Sequence, residues 1–182
     1  SPIDLSPLNA ASSRQLLLVI ASNWASRVAQ LQRFERTGCA GDWQPVGAPI
    51  AVSLGRAGLA WGRGLHPLDG EAGKREGDGC SPAGIFAMTA LFGYAAGDRL
   101  FAGAAKLPYL QATPDLKAID DPASAYYNQI VDQSTLAQPD WASCEDMLRS
   151  DQRYAVGAVM AHNCVPGWPG GGGCIRLMVK RG

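Results

Sequence analysis

Read for its alternation of apolar and polar positions, the chain leaves a Ser/Pro/Asn-rich lead-in for Gln15–Ala21 (QLLLVIA), an unbroken apolar run of strand length. Trp24–Arg36 fits either a helix or a second strand. The glycines that punctuate the next stretch, Gly38, Gly41 and Gly47, tip it toward strand pairing. Ile50–Leu54 (IAVSL) predicts a further strand. Gly55–Gly64 (GRAGLAWGRG) carries four glycines, each costing about 1 kcal/mol relative to alanine in a helix interior, so it reads as strand and turn. Gly77–Phe86 (GDGCSPAGIF) predicts a turn feeding a strand. Asp120–Asp132 (DDPASAYYNQIVD) and Trp141–Met147 (WASCEDM) predict loop and short helix, with Ser143 as N-cap and Glu145 and Asp146 in the first turn. Tyr154–Ala161 (YAVGAVMA) predicts a central strand, and Gly167–Gly173 a turn. With no internal repeat and no linker-like stretch, the pattern predicts one mainly β domain over residues 1–182 with one or two short helices.

Composition narrows the class. A hydrophobic content of 47% supports a real core, and 16 basic residues balance 16 acidic ones. No broad positive field or Lys/Arg run is present to attract nucleic acid. The longest apolar run is strand-sized, so no membrane span is expected in this chain. The sequence opens at Ser1 without a methionine, which is compatible with a removed secretion signal. The five cysteines, Cys39, Cys80, Cys144, Cys164 and Cys174, are an odd number without disulfide-scaffold spacing.

Chemistry concentrates at the C-terminal end, where His162 precedes Cys174 by twelve positions and Gly170–Gly173 lead directly into that cysteine. A histidine close to a thiol can draw its proton, and the backbone N–H groups of Gly172, Gly173 and Cys174 can face a developing oxyanion. The same letters also describe a glycine turn leading to a small buried cysteine. Imidazole and thiolate suit zinc, but His162, Cys164 and Cys174 lack a close ligand pair at each end, so no metal site is expected. The glycines are followed by Cys-Ile-Arg rather than Lys-Ser/Thr, which excludes a phosphate-binding loop. Tyr126, Tyr127 and Asn128, beside Asp120 and Asp121, are candidates to line a polar groove for a peptide or sugar. His66, before Pro67, reads as an exposed loop residue.

Taken in order, GRAGLAWGRG, KREGDGCSPAGIF (Lys74–Phe86), DDPASAYYNQIVD, DWASCEDM and YAVGAVMAHN resemble the L,D-transpeptidase (YkuD-like) catalytic domains of bacterial cell-wall enzymes. The resemblance runs over most of the chain. It implies a β-sandwich-like domain in the periplasm or cell envelope, acting on peptidoglycan stem peptides. A cysteine would attack the bond after the third stem residue, and an amine of a second stem, or water, would take the acyl group. It implies no metal and no cofactor.

Two alignments remain at the active-site end. In the first, Gly173-Cys174-Ile175-Arg176 keeps the Gly-Cys-apolar-Arg part of the family's widespread pattern without its Ser/Thr-His pair. Cys174, His162 and Arg176 are then the catalytic candidates, with Tyr126, Tyr127 and Asn128 binding substrate. In the second, which the upstream motifs favour, Cys174 is a structural cysteine and Met178 stands where a histidine belongs. The sequence then stops before a T-x-G-C stretch, and the expectation is an inactive or truncated cell-wall-binding module. The first alignment requires a reactive, partly exposed Cys174 near His162. The second requires a buried Cys174 and a Met178 that faces a groove.

Overall fold

The computed structural model describes residues 13–38, 41–67, 73–96, 106–164 and 170–178. Strand makes up 41% of the structure, and the helical content among the described residues is one 3-10 turn, Gln133–Thr135. The mainly β expectation therefore holds, and the chain falls into two compact units, Ser1–Ile85 and Phe86–Gly182.

In the first unit, β1 (Gln15–Ile20), β2 (Val28–Glu35) and β3 (Gln44–Ser53) form an antiparallel sheet in the order β1-β2-β3. The stretch that fits either helix or strand is thus a strand, and the third strand begins earlier than its apolar residues suggest. Ala29 and Leu31 point to the buried side of β2, two positions apart as the pleat requires. The glycine-rich segment supplies the short β4 (Leu59–Trp61), which pairs in parallel with β5 (Ser81–Ala83).

The turn before β5 is closed by charge. Lys74 is buried, and its ammonium donates to Asp78 Oδ1 at 2.7 Å. The same carboxylate accepts the backbone N–H groups of Arg75 and Cys80, each at 2.8 Å. His66 also departs from the exposed-loop expectation. It is half-buried, and its Nδ1 accepts the N–H of Ile85 at 3.0 Å.

The second unit contains two sheets. One has the order β12-β11-β6-β7, built from β6 (Met88–Gly93), β7 (Tyr109–Gln111), β11 (Val156–Met160) and β12 (Arg176–Met178). The other has the order β10-β8-β9, built from β8 (Leu116–Ile119), β9 (Ile130–Asp132) and β10 (Cys144–Asp146). One core joins them, with Phe92 of β6 packed among Leu116 and Ala118 of β8, Ala112, Met147 and Tyr154. Strand β11 has neighbours on both sides, as its apolar run predicts. Gly157 in its middle is a packing requirement, because a Cβ there would meet the Phe92 ring and the Leu177 carbonyl.

The helix expected over Trp141–Met147 is a strand instead. Ser143 does not cap, because its hydroxyl donates to Asp120 Oδ1 at 2.6 Å. Cys144, Glu145 and Asp146 pair with Ile119, Ala118 and Lys117 across an antiparallel ladder, and Lys117 forms an ion pair with Asp146. A segment this short cannot recover the cost of helix nucleation, so the ladder wins. Of the expected Gly167–Gly173 turn, residues 167–169 lie outside the described residues, as does Cys39; residues 170–173 lead irregularly into β12.

The Lys74–Asp78 turn has a measurable pH signature. Burial works to raise the Asp78 carboxyl, but the Lys74 hydrogen bond and the two backbone donors outweigh it and hold the group below its ordinary value. A depressed carboxylate stabilises the fold fully above its unfolded value near pH 4 and loses that contribution as pH falls through its folded value. Asp78→Ala should cost about 2–3 kcal/mol at pH 7, leaving Lys74 without its carboxylate partner. Urea unfolding of both proteins at pH 7 and pH 3 should find the gap narrowed at the lower pH. An equal gap at both would show that the carboxylate charge is not what stabilises the turn.

Candidate functional site

The candidate residues at the C-terminal end converge in the second unit on one side chain, Asn128. Its path is set by two carboxylates that lace the preceding loop. Asp121 accepts the N–H groups of Ala123 and Ala142 at 2.9 and 2.7 Å. Asp140 accepts the Ser124 hydroxyl and the N–H of Ala125. Both carboxyls sit below the ordinary carboxylate value because of these hydrogen bonds, led by the Ala142 N–H for Asp121 and the Ser124 hydroxyl for Asp140. The acidic residues beside Tyr126 and Tyr127 therefore brace the loop. Asp120 does the same through Ser143.

Within this braced loop Tyr126 and Tyr127 are half-buried, and the Tyr126 ring meets Trp141 edge-on at 5.8 Å between centroids. Asn128 comes next with a left-handed φ of 62°, which asparagine adopts more readily than most residues. Its N–H donates to the Ile119 carbonyl at 2.9 Å. Its Nδ2 donates to the carbonyls of His162 and Asn163 at 2.8 and 2.9 Å, and its Oδ1 accepts the N–H of Cys174 at 2.6 Å. Cys174 closes a ring, since its Sγ donates to the same Ile119 carbonyl at 3.2 Å. Asn163 adds a tie through Nδ2 to the Gly172 carbonyl at 3.1 Å.

The glycine before Cys174 has a physical reason. A Cβ at Gly173 would lie 3.2 Å from Asn128 Oδ1, so only glycine lets the chain pass this close without displacement. Among the described residues the non-glycine positions with positive φ are Asn128, Gln152, Asn163 and Cys174. Three of these four belong to the Asn128 node, and such backbone strain persists only where surrounding contacts over-determine it.

The three catalytic candidates occupy different environments. His162 is wholly buried, with its ring 5.7 Å from that of Phe86. Cys174 is half-buried, packed against the core around Phe92 and Tyr154, with its N–H and S–H directed to Asn128 and Ile119. Arg176 is committed to Glu145, whose Oε2 receives both terminal guanidinium nitrogens at 2.8 and 2.7 Å and the Tyr154 hydroxyl at 2.8 Å. The guanidinium also lies over the Tyr154 ring, 4.7 Å from its centroid. Burial, with the Glu145 carboxylate acting against the charge of Arg176, pushes the Tyr154 hydroxyl up to about 12 and keeps it a donor. The node thus gathers His162 through its carbonyl and Cys174 through its N–H and thiol, while Arg176 belongs to a separate ion pair.

Met178 is on β12 and 45% exposed. Cys164 is exposed at the residue level, with its sulfur directed to the His162 carbonyl at 3.6 Å and its thiol pushed up by partial burial. Among the described residues no group of three or more His, Cys, Asp and Glu is placed to hold a metal ion, and no helix is long and apolar enough to cross a membrane. The sequence marks Asn128 only as a groove residue. Its role as the hub is signalled by nothing more than an Asn after two tyrosines.

Two measurements check the node. Asn128→Ala removes one acceptor and two donations while keeping the left-handed strain, and should cost about 2–4 kcal/mol. Asn128→Gly loses the same hydrogen bonds but relieves the strain, and should be the milder change by about 1 kcal/mol; equal losses would mean that φ at 128 relaxes. In native protein at pH 8.5, a thiol reagent should modify Cys164 before Cys174, since Cys164 is exposed and its sulfur lies 3.6 Å from the His162 carbonyl, against 3.2 Å from the Ile119 carbonyl for the half-buried Cys174. Peptide mapping after partial labelling reads the order, and labelling of Cys174 first would contradict the geometry.

Comparison of the chain with protein-family models, with curated proteins and with solved structures finds no match.

Proposed function

We propose that this chain is an L,D-transpeptidase-like module of the cell envelope that engages peptidoglycan stem peptides through the scaffold around Asn128, with Cys174 in a structural role. The resemblance rests on the five ordered sequence stretches from GRAGLAWGRG to YAVGAVMAHN, and the mainly β architecture agrees with it.

The observation that carries the structural role is the double commitment of Cys174. Acyl transfer through a cysteine needs a thiolate that a carbonyl can approach, a base beside it and free backbone donors for the oxyanion. The Cys174 S–H instead donates to the Ile119 carbonyl at 3.2 Å, an acceptor that favours the thiol over the thiolate. Its N–H, the donor an oxyanion hole would use, is held by Asn128 at 2.6 Å. The imidazole of His162 is wholly buried against Phe86. These two hydrogen bonds support the alignment in which Cys174 is structural; the residue is half-buried rather than buried, and Met178 is 45% exposed. The half-buried pair of Tyr126, on the loop that ends at Asn128, and Trp141, before β10, offers an aromatic edge for a stem peptide.

The test is incubation of the 182-residue protein with a disaccharide tetrapeptide and an amine acceptor, following D-alanine by mass spectrometry, alongside co-sedimentation with purified peptidoglycan. No turnover above the buffer control is expected, with sedimentation retained in both the native protein and Cys174→Ser, which keeps a hydrogen-bond donor. Turnover that disappears in Cys174→Ser would restore Cys174 as nucleophile. Failure to sediment would remove the cell-wall reading.

A further inference from the structure

The first unit carries a row of three aromatic rings. Trp24 meets Trp61 edge-to-face at 5.4 Å between centroids, and Trp61 meets His66 at 5.3 Å with the rings tilted by 37°. Trp24 is 52% exposed. We propose that this row is a glycan-binding shelf on which a pyranose ring stacks against Trp24.

The shelf is pre-built. Trp24 lies in a tight turn in which Ser26 N–H donates to the Asn23 carbonyl, Ala25 N–H to Asn23 Oδ1 and Asn23 N–H to Ser26 Oγ. Ser22 and Ser26 share a hydroxyl–hydroxyl bond at 2.9 Å. The Trp24 carbonyl is fixed by the N–H of Leu59, at the start of β4, at 2.8 Å. The ring's backing is fixed too, since Trp61 lies in the β4–β5 ladder and His66 is held through Nδ1 by the N–H of Ile85. A large aromatic held half-exposed on a rigid turn has little conformational freedom to lose when a ligand arrives.

The chemistry around the ring selects the class of ligand. The π face of an indole carries partial negative charge and attracts the polarised C–H face of a sugar. The flanking Ser22, Asn23 and Ser26 supply hydroxyl and amide groups. Asn23 Oδ1 is held by the Ala25 N–H, but Nδ2 makes a long 3.4 Å bond to Ser22 Oγ, which leaves donor capacity for sugar hydroxyls. Ile20 and Val28, at the end of the same hairpin, are 60% and 68% exposed and would suit a lipid surface. Trp24, however, is seated against Trp61 rather than projecting as a wedge, and the chain's equal numbers of basic and acidic residues give no general attraction to anionic lipid. The choice of a β-1,4-linked amino sugar as occupant rests on the proposed cell-wall function.

The experiment titrates the full chain with the β-1,4-linked tetramer of N-acetylglucosamine, read by tryptophan fluorescence and calorimetry. Wild type should bind saturably, and Trp24→Phe should keep most of that affinity. Trp24→Ala should bind at least about tenfold more weakly, a loss of about 1.4 kcal/mol, with an unchanged circular dichroism spectrum. Undiminished binding by Trp24→Ala, or no saturable binding by wild type at millimolar tetramer, overturns the shelf. So does Trp24-dependent binding to mixed phosphatidylcholine–phosphatidylglycerol vesicles without a response to the sugar. A sugar-free stem tetrapeptide separates the two readings. If it binds while the tetramer does not, the shelf falls and stem-peptide engagement stands. If the tetramer alone binds, the shelf stands and stem-peptide engagement falls.

Discussion

The carbonyl of Ile119 sets the geometry of the second unit's chemistry. Ile119 ends β8 and is wholly buried, so its oxygen has no water to turn to and must find donors in the protein. The β8–β9 ladder runs only from Leu116↔Asp132 to Ala118↔Ile130, one residue short of it. The backbone N–H of Asn128 and the thiol of Cys174 fill the two lone pairs instead. Once these are placed, little freedom remains. Asn128 must turn left-handed to present its N–H inward, its amide then reaches the His162 and Asn163 carbonyls, and its oxygen meets the Cys174 N–H. A buried acceptor just past the end of the β8–β9 ladder thereby fixes where the end of β11 and the entry to β12 can lie.

The same constraint explains why the backbone strain is concentrated rather than spread. A left-handed residue costs about 1–2 kcal/mol for most side chains and less for asparagine, whose short amide bonds locally. Asparagine fills two of the three strained positions of the node, which keeps the cost low there. Cys174 is the exception, with φ at 51° and no such advantage. Its two hydrogen bonds and its packing against the core offset the strain. Cysteine suits the position because it is small, apolar enough for the core and still a weak donor.

Much of the strand framework is legible in the sequence because its signals are local. The apolar run at Leu16–Ile20, the glycine density of Gly55–Gly64 and the run ending at Met160 each carry their structure within a few residues. The segment Cys144–Asp146 does not. Ser143, Glu145 and Asp146 read locally as a helix start, and only Asp120 and Lys117, more than twenty residues upstream in sequence, make them a strand. The site is legible in membership but not in arrangement. His162, Cys174 and Asn128 do meet, with the Asn128 amide bonded to the His162 carbonyl and the Cys174 N–H, and residue spacing says nothing of which atoms of a residue are turned toward a neighbour. His66 is misread for a related reason, since its flanking Gly64 and Pro67 describe the backbone while the Ile85 N–H decides the ring.

Two ties join the sheets of the second unit, and together they engage Cys174 and Arg176, two of the groups that look catalytic in the sequence. The first runs from the end of β8 through Asn128 to Cys174. The second runs from Glu145 on β10 to Arg176 on β12, with Tyr154 donating to the same carboxylate oxygen. Arg176 is almost entirely enclosed while Glu145 remains 42% exposed, so the carboxylate keeps part of its hydration and the guanidinium gains a ring face in exchange for water. Removing Arg176 would leave Glu145 with water and the Tyr154 hydroxyl as partners; removing Glu145 would leave a buried cation without its carboxylate. The asymmetry marks Glu145 as the partner on which this second tie depends. A side chain that closes two sheets in this way is not available to a substrate unless the sheets part. That is the physical reason for proposing a scaffold role for Cys174 and Arg176, and for seeking ligand contacts on exposed aromatic edges.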